Sequence, residues 1–428
     1  MLRLALALIL LAAPGRAADF RLLAGHGGPV MGVAISGDGR TALTASFDNS
    51  VGVWDLASDE VRFLEGQEAA VKAVVFMGSD AAASAGDDFA IELWDLTTGK
   101  ARARLTGHKG QVKSLAVSPD GKLLASAGWD GSIGLWDIAA AENIAMMRGH
   151  DGAVNDVAFS VDGSLLYSAS ADGTVRVWDV AARAEKRVLV RHGFGVTVLA
   201  VRDGWLAYGA VDGGTRVIDL ATDKVLADLT LERRPILAFA MTPAGDRLAV
   251  GDGQGYVMTV DTHSWQIVTD YRLSAHGPVW ALAFTPDGTS LLAGGVDDAA
   301  YLWPVENRLE APIMATVERG FHREPGTMSN GERQFMRKCS ICHSLTGEGV
   351  RRAGPTLKGL FGRKAGSVPG YLYSEAVGGL GLTWSDHTVD ELFDQGPAVF
   401  IPGTKMPNQR IVRPEDRRDL IEYLRNNT

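Results

Sequence analysis

The chain has 428 residues, and its 51 Asp and Glu outnumber its 42 Lys and Arg, which gives a formal net charge of −9 at pH 7. This length exceeds what one hydrophobic core usually serves, so we expect more than one domain. The acidic balance and the lack of a nucleic-acid-binding motif exclude nucleic acid as a partner. Two cysteines are too few for a disulfide framework.

The first residues have the layout of a secretory signal peptide. Arg3 precedes an apolar run from Leu4 to Ala13, Pro14 ends that run, and residues 15–17 supply a cleavage site. The run is too short to span a bilayer, and no later segment has the roughly 18 apolar residues of a membrane helix. We therefore expect removal of residues 1–17, a mature chain without a transmembrane segment, and a periplasmic location. An uncleaved anchor is the alternative.

A Trp-Asp dipeptide recurs along residues 18–305. The intact and then the degenerate copies are Trp54-Asp55, Trp94-Asp95, Trp136-Asp137, Trp178-Asp179, Ile218-Asp219, Val260-Asp261 and Trp303-Pro304. Their first members are separated by 40, 42, 42, 40, 42 and 43 residues. A sustained period of this length predicts a β-propeller with four strands per blade. The segment resembles the WD-repeat (WD40) family, which implies an all-β propeller of seven blades.

In the WD-repeat family a His, a strand Ser or Thr, a turn Asp and the Trp form a hydrogen-bonded brace. Three units match this pattern: His26, Asp48 and Trp54; His108, Asp130 and Trp136; and His150, Asp172 and Trp178. The other units depart from it, for example with Gln67, Ile218 and Gln254 at brace positions. Metal binding by these histidines is disfavoured because they recur at one repeat position. Ring closure predicts that Phe20 to Leu23 form the outer strand of the seventh blade.

After the repeat, residues 306–328 contain scattered Pro and Gly and are interpreted as a linker. Residues 329–428 have the length of one small domain. Ser329 and Glu332 form a capping-box pattern that opens a helix running into Cys339. A second helix begins at Pro414 and carries an apolar stripe. Two terminal helices around a Gly- and Pro-rich middle predict a small all-α domain.

The run Cys339-Ser340-Ile341-Cys342-His343 follows the first of these helices. A C-x-x-C-H run is the attachment site of a c-type haem, in which both thiols bond the haem vinyl groups and the histidine lies under the iron. A redox dithiol and half of a zinc site are the rival interpretations. Neither accounts for the histidine, and no second Cys pair exists to complete a zinc site. We therefore expect one covalently attached haem c.

Two further segments, Gly354 to Lys364 and Ile401 to Met406, resemble class I cytochromes c of the mitochondrial type, and the match runs from about Gly331 to Tyr423. The resemblance implies that His343 and Met406 are the axial iron ligands and that the Pro355 carbonyl orients the histidine. It also implies a set of haem-binding side chains and a close crossing of the terminal helices. The haem-binding side chains are Arg363, Tyr373, Trp384 and Thr404, and the crossing residues are Gly331, Phe335 and Tyr423. Positions 377, 393 and 408, which hold Val, Phe and Asn, depart from the family.

Histidine and methionine ligation raises the potential of a haem and leaves no open iron position, which favours one-electron transfer over substrate binding. Residues 326–428 carry 14 Lys and Arg against 11 Asp and Glu, whereas the preceding residues carry 28 against 40. The basic side chains near the haem motifs are Lys338, Lys358, Lys364 and Lys405. A basic haem edge favours acidic redox partners, and the acidic propeller is itself a surface on which that edge can rest.

The favoured hypothesis is an exported electron carrier whose propeller is a docking platform for a periplasmic redox protein. One alternative is an enzyme, or haem-relay subunit, whose propeller binds a substrate or second cofactor and passes its electrons to the haem. Another is a haem-bearing scaffold without turnover. The sequence names neither a catalytic residue nor a substrate, and it favours a carrier over a catalyst.

Overall fold

The structure is a computed structural model that describes residues 20–305 and 327–428, apart from residues 59, 232–234, 275–276, 347–351, 372, 405 and 407–408. The predicted signal peptide, the linker up to residue 326, Lys405 and Asn408 lie outside the described residues. No helix within the described ranges is long and apolar enough to cross a bilayer.

Residues 20–305 form seven antiparallel sheets of four strands each, which are the blades of a propeller. Blade 1 contains β2 (Val30–Ile35), β3 (Thr41–Ser46), β4 (Ser50–Asp55) and β5 (Val61–Glu65). Blade 2 contains β6 (Val71–Phe76), β7 (Ala81–Gly86), β8 (Ile91–Asp95) and β9 (Lys100–Leu105). Blade 3 contains β10 (Val112–Val117), β11 (Leu123–Gly128), β12 (Ser132–Asp137) and β13 (Glu142–Arg148). Blades 4 and 5 contain β14 (Val154–Phe159), β15 (Leu165–Ser170), β16 (Thr174–Asp179) and β17 (Ala184–Arg191); and β18 (Val196–Arg202), β19 (Trp205–Ala210), β20 (Thr215–Asp219) and β21 (Val225–Asp228). Blades 6 and 7 contain β22 (Ile236–Met241), β23 (Arg247–Asp252), β24 (Tyr256–Asp261) and β25 (Gln266–Arg272); and β26 (Val279–Phe284), β27 (Ser290–Gly295), β28 (Ala299–Pro304) and β1 (Arg21–Ala24).

The ring is closed by the two ends of the propeller segment, as the sequence predicts. Strand β1 pairs antiparallel with β28, with Leu22 opposite Tyr301. Phe20, just before β1, stacks on Trp303 of β28 with ring centroids 5.0 Å apart. Blade 7 therefore contains the first and the last strand of the repeat, which confirms the seven-bladed propeller.

The second strand of each blade is buried on both faces. In β7 and β11 every residue after the first is buried. Such strands lie inside a blade that is covered by a neighbouring blade on each side, so their sequences are runs of small and apolar residues rather than alternating ones. This explains the Ala-, Ser- and Gly-rich segments that follow each polar turn.

The predicted braces are present in blades 1, 3 and 4. In blade 4, His150 Nδ1 lies 2.8 Å from Asp172 Oδ2, His150 Nε2 lies 2.7 Å from Ser168 Oγ, and Trp178 Nε1 donates to the same Oγ at 2.8 Å. Blades 1 and 3 repeat this arrangement around Thr44 and Ser126. The brace ties two strands, the turn between them and the loop before the blade together in a buried network, which makes it costly to break.

The blades that depart from the pattern use other side chains. In blade 2, Gln67 Nε2 donates to the Ser84 carbonyl at 3.1 Å, so an amide replaces the histidine. In blade 6, Asp252 Oδ1 accepts from the backbone N–H groups of Gln254 and Tyr256 at 2.8 and 2.9 Å. The turn carboxylate that is missing at Gln254 is thus supplied two residues earlier.

Residues 327–428 form the small all-α domain that the sequence predicts. Its helices are α1 (Asn330–Lys338), α2 (Glu375–Gly378), α3 (Asp386–Gln395), α4 (Pro397–Phe400) and α5 (Pro414–Asn427). The Ser329 side chain accepts the Glu332 N–H at the start of α1, and Pro414 occupies the first turn of α5. Helix α3, which the sequence analysis did not predict, begins with a capping box between Ser385 and Thr388.

The two terminal helices cross at Gly331, as the sequence predicts. A Cβ atom at Gly331 would overlap the Asp419 carbonyl oxygen and would lie 2.8 Å from Tyr423 Cβ. Phe335, one turn later on α1, packs against the Tyr423 ring with centroids 5.7 Å apart. Only glycine fits this crossing, which brings α1 close enough to α5 to bury the domain core.

Candidate functional site

The C-x-x-C-H run forms a turn at the end of α1. The Cys339 N–H donates to the Phe335 carbonyl at 2.8 Å, and the His343 N–H donates to the Cys339 carbonyl at 2.8 Å. Both cysteines are free thiols, with Cys339 buried and Cys342 partly buried. Burial raises the pKa of Cys339 to about 12 and that of Cys342 to about 11. Both side chains are therefore neutral thiols at neutral pH.

The His343 ring is held in one orientation by a backbone carbonyl. Its Nδ1 lies 2.7 Å from the Pro355 oxygen, the interaction that the sequence implied. Because a carbonyl only accepts, Nδ1 carries the proton and Nε2 keeps its lone pair. Burial lowers the pKa of His343, which favours this neutral imidazole. A side chain at Gly354 would overlap the ring, so this glycine makes room for it.

A cavity of about 410 Å³ lies beside this ring. Seven of the nine predicted site residues line it: Cys342, His343, Pro355, Tyr373, Trp384, Thr404 and Met406. Met406 is partly buried, and its N–H donates to Thr404 Oγ1 at 3.2 Å. A neutral imidazole, a thioether and the Cys342 thiol on one largely apolar cavity, with the Cys339 thiol in the core beside it, form the donor set that haem requires. These residues therefore fit a haem.

The other two predicted residues are not in the cavity wall. Cys339 is buried in the domain core. Arg363 donates to the carbonyls of Lys358 and Thr356 at 2.6 and 2.8 Å. Its backbone oxygen accepts the Trp384 N–H at 2.9 Å, so Arg363 neighbours a cavity residue while its guanidinium supports the loop after Pro355.

Several cavity residues were missed by the sequence analysis. Tyr371 packs edge-on against Tyr373 at 4.7 Å and donates to the Ala353 carbonyl at 2.5 Å. Gln409 donates to the Lys338 carbonyl at 2.8 Å, which ties the segment after Met406 to the end of α1. The Tyr-x-Tyr spacing that Tyr371 shares with Tyr373 is a sequence signal that could have identified it, whereas no motif marks Gln409.

One wall of the cavity belongs to the propeller. Its residues lie in loops of blades 1 to 3: Phe47, Asn49, Ala69, Ala70, Asp87 and Gln111. Arg352 of the small domain also donates to the Gly27 carbonyl at 3.2 Å. The charge division of the sequence suggested that the haem edge can rest on the propeller, but no sequence pattern indicated which residues make this contact.

Known protein families match both parts of the chain. The model of the WD domain, G-beta repeat, matches residues 19–55, 99–137, 141–179 and 267–304. The cytochrome c model matches residues 328–428. The chain therefore carries WD40 repeats in its N-terminal part and a cytochrome c domain at its C-terminus.

Several known proteins are similar to this chain over about a quarter of its length, which is the length of its C-terminal domain. Cytochrome c of Sesamum indicum is 41% identical over 105 residues, which are 24% of this chain and 93% of that protein. Cytochrome c of Gibberella zeae is 41% identical over 103 residues, which are 24% of this chain and 96% of that protein. Cytochrome c of Arabidopsis thaliana is 44% identical over 104 residues, which are 24% of this chain and 91% of that protein. Through this domain, which implies a haem cofactor and haem-based electron transfer, the chain belongs to the cytochrome c family.

Proposed function

We propose that the protein is an exported c-type cytochrome that transfers single electrons through one covalently attached haem, with its propeller as a docking platform for a periplasmic redox protein. The observation that carries this proposal is the cavity that His343, Met406 and Cys342 line together, with Cys339 in the core next to Cys342 in the same turn.

His343 and Met406 are the residues that would hold the iron, and Cys339 and Cys342 those that would bond the haem. A haem bound there supplies a one-electron Fe(III)/Fe(II) couple. The Pro355 carbonyl fixes the His343 tautomer, and a carbonyl bonded to a ligand imidazole also increases its basicity. Two protein ligands leave no iron position for a substrate, which supports a carrier over a catalyst.

The covalent attachment is supported by the position of the thiols. They follow α1 in the turn that also carries His343, so the three side chains are set by one short segment. Burial raises the pKa of both thiols, so without a bound metal they stay protonated at neutral pH and are poor nucleophiles. This environment supports thioether formation, in which each S–H adds across a vinyl group, over a redox dithiol.

The location and the docking role rest on the sequence. A signal-peptide pattern precedes the propeller, and haem attachment to C-x-x-C-H outside the cytoplasm agrees with export. The propeller offers loops from seven blades and an acidic charge balance, which suits a protein-binding platform.

The test is the full-length protein made in cells that attach haem to exported cytochromes. We expect haem that resists acid–acetone extraction, one haem per chain, and a reversible one-electron titration. Replacing Cys339 and Cys342 by Ser is expected to make the haem extractable or absent. The matched control is Ser340→Ala, which lies between the thiols and keeps both. Extractable haem in the unaltered protein would refute covalent attachment, and recovery of the chain from the cytoplasm with residues 1–17 intact would refute export.

A further inference from the structure

The propeller wall of the cavity comes from one face of three neighbouring blades. Phe47 and Asn49 lie between β3 and β4, Ala69 between β5 and β6, Asp87 between β7 and β8, and Gln111 between β9 and β10. Loops within a blade and loops between two blades follow one another around the same side of the ring. The cavity is therefore lined by a continuous strip of blades 1 to 3. Small side chains such as Ala69 allow the two domains to approach closely.

The contact between Arg352 and Gly27 involves a carbonyl that blade 1 holds in place. The Gly27 N–H donates to Asp48 Oδ2 at 2.8 Å, and the same carboxylate oxygen lies 3.1 Å from His26 Nδ1. The brace of blade 1 thereby holds the N–H group of Gly27 in place. The carbonyl oxygen of the same residue accepts from Arg352 Nη1 at 3.2 Å. A docking contact made to a rigid, buried network loses little conformational entropy on forming.

Charges on the two sides of the cavity are complementary. Lys338 lines it from the small domain, and Asp87 lines it from the propeller. One oxygen of Asp87 lies 3.4 Å from Lys72 Nζ, while the other is buried without a hydrogen-bond partner among the described residues. The signs of Lys338 and Asp87 agree with the charges of the two parts of the chain, which has 14 basic against 11 acidic residues in 326–428 and 28 against 40 before them.

We propose that this strip of blades 1 to 3 is the resident docking surface for the chain's own haem cavity, so that the propeller covers the side of the cytochrome c domain through which electrons would be exchanged. The inference rests on the proposed function and names the occupant of the platform. A protein redox partner then reaches the cavity only after the cytochrome c domain leaves this strip, whereas a small electron donor does not need that separation.

The test compares the haem-loaded full-length protein with two matched variants. Ala69→Arg places a long cation in the strip, against a small domain of net positive charge. Ala153→Arg places the same side chain in the corresponding loop of blade 4, which does not line the cavity. Hydrogen exchange of residues 47–49 and 69–70 measures docking without reference to electron transfer.

We expect Ala69→Arg to increase exchange in those loops and Ala153→Arg to leave it unchanged. We also expect reduction of the ferric protein by Cu(I) azurin, which gives up one electron, to become about tenfold faster in Ala69→Arg. Reduction by ascorbate is expected to change less than about twofold, because a small donor does not need domain separation.

The unaltered protein provides a second measurement that no folding defect can affect. Raising the salt from about 0.01 M to about 1 M shortens the screening length from ~30 Å to ~3 Å and is expected to deprotect the same loops. If Ala69→Arg and the unaltered protein exchange equally at both salt concentrations, the inference is wrong while the proposed function stands. A full-length protein that takes up no haem would overturn both.

Discussion

The Nδ1 atom of His343 lies 2.7 Å from the carbonyl oxygen of Pro355, and this hydrogen bond fixes which ring nitrogen faces the cavity. The acceptor is a backbone atom, so it does not depend on a side-chain rotamer. Gly354, directly before Pro355, leaves space for the ring. The orientation of the candidate iron ligand is therefore built into a short loop rather than into the propeller or the helices.

Met406→Ala is expected to lower the reduction potential by on the order of 100 mV or more, since axial ligands set haem potentials over a range of ~0.8 V. Loss of the thioether also opens an iron position, so the absorbance of Met-ligated ferric haem is expected to disappear. Spectroelectrochemical titration measures both changes. The matched control is Met336→Ala, because Met336 packs on the same core without lining the cavity. An unchanged potential in Met406→Ala would disprove the ligand assignment.

Gly331→Ala is expected to destabilise the cytochrome c domain by about 1–3 kcal/mol, the usual cost of overpacking. The added methyl group would overlap the Asp419 carbonyl and crowd Tyr423, so α1 and α5 would have to separate. Denaturant unfolding followed by haem absorbance measures the loss. Gly378→Ala is the control, because a Cβ there meets nothing within 4 Å. Equal stability of the two variants would show that the helices do not meet at Gly331.

The sequence predicted those parts of the molecule that local patterns encode. The Trp-Asp period predicted the blades because each repeat forms one sheet, and the C-x-x-C-H run predicted the turn beside the cavity because its residues are adjacent in the chain. The family resemblance supplied Pro355 and Met406. Helix α3 was missed although Val389, Leu392 and Phe393 have helical spacing, because Thr388 stands where a capping box usually has Glu or Gln.

The propeller wall of the cavity was beyond prediction for a different reason. Phe47 and Ala69 lie 296 and 274 residues before His343, and each fits its own blade without any requirement for a haem domain. A contact of this kind depends on how two folded surfaces meet, and no periodicity or motif records it. The charge division between the domains was the one sequence feature that pointed in this direction.

Ser168→Ala is expected to destabilise the propeller by about 2–4 kcal/mol. The hydroxyl of Ser168 bonds both His150 Nε2 and Trp178 Nε1, and its removal leaves two buried polar atoms without partners. Thermal unfolding followed by circular dichroism in the β-sheet region measures the loss. Ser164→Ala, at an exposed turn of the same blade, is expected to change stability by less than about 0.5 kcal/mol. Similar melting temperatures for both variants would contradict a structural role for the brace.

Asp156 has a raised pKa, so we expect its contribution to the free energy of unfolding to change with pH in the direction opposite to that of most carboxylates. It lies partly buried on β14, where the desolvation of its carboxyl group raises its pKa to about 6 although Ser114 Oγ and the Leu199 N–H donate to it at 2.5 and 2.8 Å. An unfolded Asp releases its proton near pH 4, so between about pH 4 and pH 6 the folded state binds more protons than the unfolded state. The free energy of unfolding must then fall as the pH rises through this window, by about 3 kcal/mol in total.

The contribution of Asp156 is the difference in the free energy of unfolding between the unaltered protein and Asp156→Asn. Denaturant unfolding of both proteins at pH 4, 5 and 6 measures it. Asp48 does not interfere: burial opposes its ionisation, but the interactions with His26 and the hydrogen bonds from Ser50 and the Gly27 N–H together outweigh burial and lower the pKa of Asp48 to about 2. Its contribution is complete above about pH 4 and is lost only as the pH falls toward 2. The unaltered protein is therefore expected to lose stability relative to Asp156→Asn from pH 4 to pH 6. A constant difference over that range would mean that Asp156 ionises near its ordinary pKa and that solvent reaches its carboxylate from the centre of the ring.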